Sequence, residues 1–151
     1  MKKIRLIGVY DYTVVLTYIS LVITLVGISL AIEGSFRSAV FCLALSGLCD
    51  MFDGKIARSK KNRTDREKMF GVQIDSLCDC VCFGAFPAMI CYLMGVRGAL
   101  GWFCIGYYTI CGVIRLAFFN VLEIERQQNE DGANHYYHGL PITTVAIVLP
   151  L

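Results

Sequence analysis

Long apolar stretches separated by short polar segments dominate the pattern of this chain. The first stretch, Tyr12–Ile32, has no charged residue and is long enough to cross about 30 Å of hydrocarbon. Four later stretches are also mostly apolar: Ser38 to about Phe52, Gly71–Met94, Ala99 to about Asn120, and Leu140–Leu151. The pattern predicts an all-α, polytopic transmembrane helix bundle with four complete spans and part of a fifth.

Composition supports a membrane protein of one domain. The 151 residues are 56% hydrophobic, which is too apolar for an ordinary soluble domain and predicts a single membrane domain over residues 1–151. Pro87 lies inside the third span. We expect a kink there rather than a helix end, because neighbouring spans can satisfy the carbonyl that a proline leaves free.

Positive charge is concentrated on one side of the predicted spans. The segments before the first span and between the second and third hold Lys2, Lys3, Arg5, Arg58, Lys60, Lys61, Arg63, Arg66 and Lys68. The opposite loops carry one arginine each, Arg37 and Arg97. The positive-inside rule therefore places the N-terminus and the polar loop Ser59–Phe70 in the cytoplasm. The same loop can attract anionic membrane lipids, whereas the net charge of +2 gives no reason to expect nucleic acid as a partner.

Four aspartates stand in or beside these apolar stretches: Asp50, Asp53, Asp75 and Asp79. An unpaired carboxylate at membrane depth costs about 2.5–3.5 kcal/mol, so the four would cost about 10–14 kcal/mol together. A hard divalent cation is the natural compensating charge for an all-oxygen site. The alternative is a set of solvated aspartates at helix ends.

The spacing of the aspartates predicts one shared site. Asp50, Asp53 and Ala57 lie on one face of a helix, and Gly71, Asp75 and Asp79 lie on one face of the next. Gly71 leaves room for a backbone or a ligand to approach. Two helices that each present two carboxylates can build a two-metal site, with ions about 3.5–4 Å apart, as phosphoryl chemistry often uses.

The arrangement D-x-x-D-G-x-x-A-R followed by G-x-x-x-D-x-x-x-D resembles the signature of the CDP-alcohol phosphatidyltransferases. All eight fixed positions are present: Asp50, Asp53, Gly54, Ala57, Arg58, Gly71, Asp75 and Asp79. One departure is the loop between the two halves, which at twelve residues is longer than is usual in the family. The resemblance covers about residues 12–151 and implies a fold of about six spans, so the chain is expected to lack C-terminal helices of that fold.

The resemblance also implies the chemistry. A CDP-linked lipid would donate its phosphatidyl group to an alcohol, with Mg²⁺ or Mn²⁺ as cofactor and a homodimer as the assembly. The four aspartates would be metal ligands, and Asp79 would also be the general base. Gly54, Ala57, Arg58 and Gly71 would contact the CDP-lipid. Arg58 is suited to a bidentate phosphate contact, although it is also explained as a topology charge.

Two further segments, 110–120 and 138–142, together with 83–87, look like the phosphatidylserine synthase branch of the family. That likeness implies CDP-diacylglycerol as donor and serine as acceptor. Arg115 lies in an apolar helix, where it must face a cavity or a partner, and the carboxylate of serine is a suitable partner. A structural pairing of Arg115 is the alternative. Ser76 and Asn120 are candidates to assist acceptor binding by hydrogen bonds.

Hydroxyls on the first predicted span form a polar stripe of Thr13, Thr17 and Ser20. Thr17 is our candidate from this stripe for a contact with the CDP-lipid. Hydrogen bonds from these hydroxyls back to carbonyls of their own helix are the alternative explanation.

Three alternatives to a serine-specific transferase remain at this level. The acceptor can be glycerol phosphate or inositol phosphate, although a phosphorylated acceptor should need more basic residues than Arg115 alone. Intramembrane carboxylates can also line a cation or proton path in a transporter, but such a path gives no reason for Gly54, Ala57, Arg58 and Gly71. The third alternative is an inactive fragment.

Overall fold

A computed structural model describes residues 14–59, 64–128 and 142–149 of the protein, and within those ranges the regular structure is entirely helical. Five helices and one short C-terminal helix follow each other along the chain. They are α1 (Val15–Ile32), α2 (Phe36–Ser59), α3 (Asp65–Asp79), α4 (Phe86–Leu93), α5 (Gly98–Gln128) and α6 (Val145–Val148). A π-helical segment, Cys80–Ala85, joins α3 to α4, and a 3₁₀ turn, Ile142–Thr144, precedes α6.

Three continuous helical stretches are long and apolar enough to cross a membrane: Val15–Ile32, Glu67–Leu93 and Gly98–Ile124. The first, third and fourth predicted spans are therefore confirmed by length and composition, and the protein is an integral membrane protein. The second predicted span is helical as α2. Its crossing of the bilayer stays a prediction. Of the predicted fifth span, the structure describes only residues 142–149, which form the 3₁₀ turn and the four-residue α6.

Two predicted boundaries were wrong. We expected a polar loop from Ser59 to Phe70, but α3 already begins at Asp65. The reason is a capping box: the Thr64 hydroxyl accepts from the Glu67 N–H, and the Glu67 carboxylate accepts from the Thr64 N–H at 2.7 Å. The fourth predicted span was expected to end near Asn120, yet α5 continues to Gln128, because charged residues after an apolar stretch do not themselves end a helix.

Both tight turns on the side opposite the aspartate motif are built on glycine. At the end of α1, the Gly34 N–H donates to the Ala31 carbonyl, and the Ser35 N–H donates to the Leu30 carbonyl. The same pair of bonds closes α4 around Gly95. Gly34 and Gly95 have φ of +82° and +108°, which glycine adopts without strain. These turns return the chain antiparallel, so α1 packs along α2 and α4 packs along α5.

Helix α1 packs on α2 through small and hydroxyl-bearing residues. Its buried face consists of Thr17, Ser20, Thr24, Gly27 and Ala31. The hydroxyls of Ser20 and Thr24 lie 2.6 and 3.2 Å from the Ser46 hydroxyl on α2. For Ser20, the alternative of bonding back within its own helix is therefore wrong, because its hydroxyl bonds to the neighbouring helix. Thr13 lies outside the described residues.

The apolar core lies where α1 and α2 meet the π-helical segment and α4. Its fully buried residues include Leu43, Phe83, Phe86 and Ile90. Gly27 permits this packing, since a Cβ at that position would stand 2.5 Å from the Phe86 ring. The core holds the π-helical segment against α1 and α2, immediately after Asp79.

Candidate metal centre

Three of the four aspartates converge in the structure. Asp50 lies in the C-terminal half of α2, while Asp75 and Asp79 are one turn apart on α3. One carboxylate oxygen from each lies within 4.8 Å of the others, and all three residues are half-buried. The predicted convergence of carboxylates from two consecutive helices is confirmed for these three residues.

The carboxyl groups of Asp50 and Asp79 are within hydrogen-bonding reach of each other. Two carboxyl groups at that distance cannot both carry an uncompensated negative charge, so they share either a proton or a cation. The donors are hard oxygens only, as Mg²⁺ and Mn²⁺ prefer, and the surroundings are apolar helices. The chemistry and spacing of these donors fit a divalent metal ion.

The remaining motif residues of α2 are described only by their backbone. Asp53, Gly54, Ala57 and Arg58 all lie within the helix Phe36–Ser59, and their side chains lie outside the described residues. The sequence spacing alone predicts Asp53 on the same helix face as Asp50. Its part in a metal site therefore stays a prediction, as do the lipid contacts of the other three.

Gly71 is half-buried on α3, one turn before Asp75 and two turns before Asp79. This places it on the carboxylate-bearing face of α3, as the spacing predicted. Thr17 is buried at 4% exposure on the face of α1 that packs within the bundle. Contact of either residue with a lipid stays a prediction.

Two candidate acceptor residues contact each other. The Ser76 hydroxyl donates to the Asn120 side-chain carbonyl at 2.6 Å, which joins α3 to α5 next to Asp75. Both residues are half-buried. Their proximity follows from antiparallel packing of α3 and α5, which the sequence pattern alone did not specify.

Arg115 is half-buried on α5, and its guanidinium lies 5.2 Å from the centre of the Phe119 ring. Tyr108 contacts the carbonyl of Phe83, whereas Asn120 contacts Ser76. Arg115 lies between Tyr108 and Asn120 in the sequence, and Asp79 lies between Ser76 and Phe83. Because the helices are antiparallel, Arg115 and Asp79 are at similar heights along them. Because Arg115 follows Tyr108 by seven residues, both are on one face of α5, towards the π-helical segment.

The π-helical segment next to the cluster was missed by the sequence analysis. The Phe86 N–H donates to the Val81 carbonyl five residues earlier, instead of the usual four. The proline at position 87 was a signal for irregular structure, and the expectation of a helix that continues past it is confirmed. The carbonyl of Phe83, which would accept from residue 87 in an α-helix, instead accepts from the Tyr108 hydroxyl.

Comparisons with known proteins show which family the chain resembles. The sequence model of the CDP-alcohol phosphatidyltransferase family matches residues 12–151. The CDP-diacylglycerol–serine O-phosphatidyltransferase of Saccharomyces cerevisiae is 36% identical over 108 residues, which are 70% of this chain and 38% of that protein. The enzyme of the same name from Mycobacterium bovis is 32% identical over 133 residues, 87% of this chain and 45% of that protein.

An archaeal relative extends the comparison. The archaetidylserine synthase of Methanothermobacter thermautotrophicus is 35% identical over 123 residues, 81% of this chain and 48% of that protein. The chain thus spans less than half the length of these three curated relatives. No solved structure matches it. The family match covers nearly the whole chain and includes the three converging aspartates, so the protein belongs to the CDP-alcohol phosphatidyltransferase family.

Proposed function

We propose that the protein transfers a phosphatidyl group from CDP-diacylglycerol to L-serine and releases CMP. The observation that carries the proposal is the convergence of Asp50, Asp75 and Asp79 from two helices in a chain of this family. The names of the relatives support serine as the acceptor, because two are serine phosphatidyltransferases and one is an archaetidylserine synthase. Family membership favours a transferase over a cation or proton transporter.

We propose Mg²⁺ or Mn²⁺ as the cofactor, held by Asp50, Asp53, Asp75 and Asp79. Two ions are expected, since four carboxylates supply enough oxygen ligands for a pair. When bound, the ions neutralise the negative charge of the donor phosphates. Gly54, Ala57, Arg58, Gly71 and Thr17 are proposed to contact the CDP-lipid. Arg58 has the planar, multiply donating group that phosphate recognition favours.

Asp79 is proposed as the general base. Its carboxylate takes the proton of the serine hydroxyl while the hydroxyl oxygen attacks the phosphorus that carries the diacylglycerol. The bond from that phosphorus to the phosphate oxygen of CMP then breaks, and CMP leaves. The closeness of Asp50 and Asp79 supports this role, because it places the proposed base within the cluster that is proposed to bind the donor phosphates.

Arg115 is proposed to bind the carboxylate of the acceptor serine. Arg115 is at the height of Asp79 along the helices and on the inward face of α5, and both positions support this role. The contact with Phe119 helps to fix the direction of the guanidinium. Ser76 and Asn120 assist next to Asp75, where their mutual hydrogen bond orients both side chains.

The orientation and assembly belong to the same proposal. The N-terminus and the aspartate cluster face the cytoplasm, where soluble serine and CMP are available, and the basic segment 59–70 supports this orientation. The membrane is proposed to be the cell membrane. We further propose a homodimer, as the family resemblance implies.

The test is CMP release from membranes that contain the protein, supplied with CDP-diacylglycerol and with serine, glycerol phosphate, inositol phosphate or ethanolamine in turn. We expect CMP release with serine only. Equal release with a phosphorylated alcohol would refute the serine assignment, and no release with any acceptor would refute the activity of this chain.

Two arginine variants test the acceptor contact. Arg115→Lys keeps the charge but loses the planar fork, so KM for serine should rise about ten- to a hundredfold while KM for CDP-diacylglycerol is unchanged. Arg97→Lys is the matched control, because the Arg97 guanidinium lies at the same 5.2 Å from an aromatic ring, that of Tyr92, on the far side of the bundle. Equal effects on both substrates, or equal effects of both variants, would contradict the role of Arg115.

A further inference from the structure

Tyr108 makes one polar contact that links α5 to the segment directly after Asp79. Its hydroxyl donates to the backbone carbonyl of Phe83, inside the π-helical segment Cys80–Ala85. Pro87 has no N–H, so this carbonyl lacks the donor that an α-helix would supply. Phe83 is fully buried, with 0% exposure, and an unsatisfied carbonyl there would be costly in a membrane. Tyr108 therefore supplies the missing donor.

The π-helical segment changes the direction of the residues on its two sides. In an uninterrupted α-helix, Asp79, Phe83 and Phe86 would lie on one face, since they are four and seven residues apart. One extra residue in a π-helical turn rotates the helix after it by about 100° relative to the helix before it, which is the turn of one residue in a helix of 3.6 residues per turn. The length of this turn therefore sets the rotation of α3 relative to α4.

The residues on both sides of the segment are held by contacts in the structure. Phe86 is fully buried, and its ring lies 2.5 Å from the point where a Cβ added to Gly27 would stand. This close packing fixes the rotation of α4 against α1. Asp79 meets Asp50 on α2 and Asp75 on its own helix. If the π-helical turn relaxed to an α-helix while Phe86 stayed packed, Asp79 would rotate away from Asp50.

We propose that Tyr108 is a positioning residue for Asp79. By bonding to the Phe83 carbonyl, its hydroxyl holds the π-helical turn that directs the Asp79 carboxylate towards Asp50. This role rests on the proposed function, in which Asp79 is a metal ligand and the general base. Tyr108 itself touches no reacting atom in this assignment.

The experiment measures Mn²⁺ binding to the purified protein by electron paramagnetic resonance, beside CMP release. Tyr108→Phe removes only the hydroxyl. We expect Mn²⁺ affinity to fall about tenfold, the lower end of what outer-shell partners of metal ligands cost, and kcat for CMP release to fall while KM for serine is unchanged. Tyr107→Phe is the matched control, because Tyr107 is the adjacent tyrosine and is 64% exposed. It should match the wild type in Mn²⁺ affinity and kcat.

A second background separates positioning from general stability. Pro87→Ala restores an N–H at residue 87 and so removes the need for the tyrosine hydroxyl. Tyr108→Phe should therefore lower Mn²⁺ affinity much less in the Pro87→Ala background than in the wild-type background. An equal loss in both backgrounds, or wild-type affinity and kcat in Tyr108→Phe, would overturn the proposal. If Tyr108→Phe alone does not fold, folding of the double variant supports it, and failure of both contradicts it.

The two proposals fail differently. Wild-type protein that binds Mn²⁺ but releases no CMP refutes the proposed transferase activity, while the Tyr108 comparison still decides the positioning role. Wild-type protein that does not bind Mn²⁺ overturns the positioning proposal, since the cluster that Tyr108 is said to organise would not hold a metal.

Discussion

Gly27 is the position where the structure predicts the sharpest response to a single methyl group. A Cβ there would stand 2.5 Å from Cζ of Phe86 and 2.9 Å from Cβ of Cys42. Both distances are far below van der Waals contact. The Phe86 ring is fully buried and the Cys42 Cβ is fixed to the backbone of α2, so neither atom can withdraw easily. Gly27→Ala must therefore push α1 away from α2 and α4.

The size of the effect depends on two opposing contributions. Replacing a helical glycine with alanine stabilises the helix by about 0.5–1 kcal/mol. Overpacking of a tight core costs about 1–3 kcal/mol. The matched control is Gly106→Ala on α5, where an added Cβ meets nothing within 4 Å and only the helix contribution applies. Gly27→Ala should thus be about 1–3 kcal/mol less stable than Gly106→Ala, and also less stable than the wild type.

The assay is reversible unfolding in detergent, followed by the fluorescence of the single tryptophan, Trp102. Its ring lies 5.2 Å from that of Tyr92, so its emission reports separation of α4 from α5. We expect a lower unfolding midpoint for Gly27→Ala and an equal or higher midpoint for Gly106→Ala. If Gly27→Ala is as stable as Gly106→Ala, the close packing of α1 on α2 and α4 is wrong.

Three further changes test other parts of the account. Ser46→Ala removes the shared partner of Ser20 and Thr24 and should cost about 1–2 kcal/mol in the same assay. Ser29→Ala should be nearly neutral, because the Ser29 hydroxyl is exposed and donates to the Leu25 carbonyl of its own helix. Asp79→Asn should lower CMP release by roughly 10²–10⁴-fold while CDP-diacylglycerol still binds, with Glu33→Gln in the opposite turn as an unaffected control. A single cysteine at Lys61 in a cysteine-free background should be labelled only from the cytoplasmic side, and one at Ser35 only from the other side.

Opposite results would be equally informative. An Asp79→Asn variant with wild-type turnover would show that another group takes the proton, and loss of CDP-lipid binding would point to a ligand role alone. Labelling of Lys61→Cys from outside would invert the topology and separate the cluster from its soluble substrate. Equal stability of the two serine variants would mean that the Ser46 hydroxyl contributes little to the packing of α1 on α2.

The sequence predicted the parts of the fold that depend on periodicity. Asp50, Asp75 and Asp79 could be assigned to two helix faces because helical spacing is fixed by local geometry. Their mutual proximity required only that the motif-bearing parts of two consecutive helices meet. The start of α3 was missed although its signal, Thr64 three residues before Glu67, is visible in the sequence. The charged residues of that segment indicated a loop, but its capping box starts a helix.

Other features could not be predicted, because they depend on contacts between distant residues. Ser46 stands alone in an apolar stretch, and only the packing of α1 on α2 brings it to Ser20 and Thr24. Pro87 indicated an irregular helix, but its position alone did not distinguish a kink from a π-helical turn. Tyr108 had no sequence signal, since its partner is a backbone carbonyl 25 residues away.

The central claim is that the aspartate cluster holds a divalent metal ion for transfer of a phosphatidyl group to serine. The most direct measurement is CMP release by the purified protein with CDP-diacylglycerol and serine, first in excess chelator and then after Mn²⁺ or Mg²⁺ is restored. Because the described ligands are all carboxylates, we predict that release stops in chelator and recovers with either ion. Full CMP release in excess chelator would contradict the account.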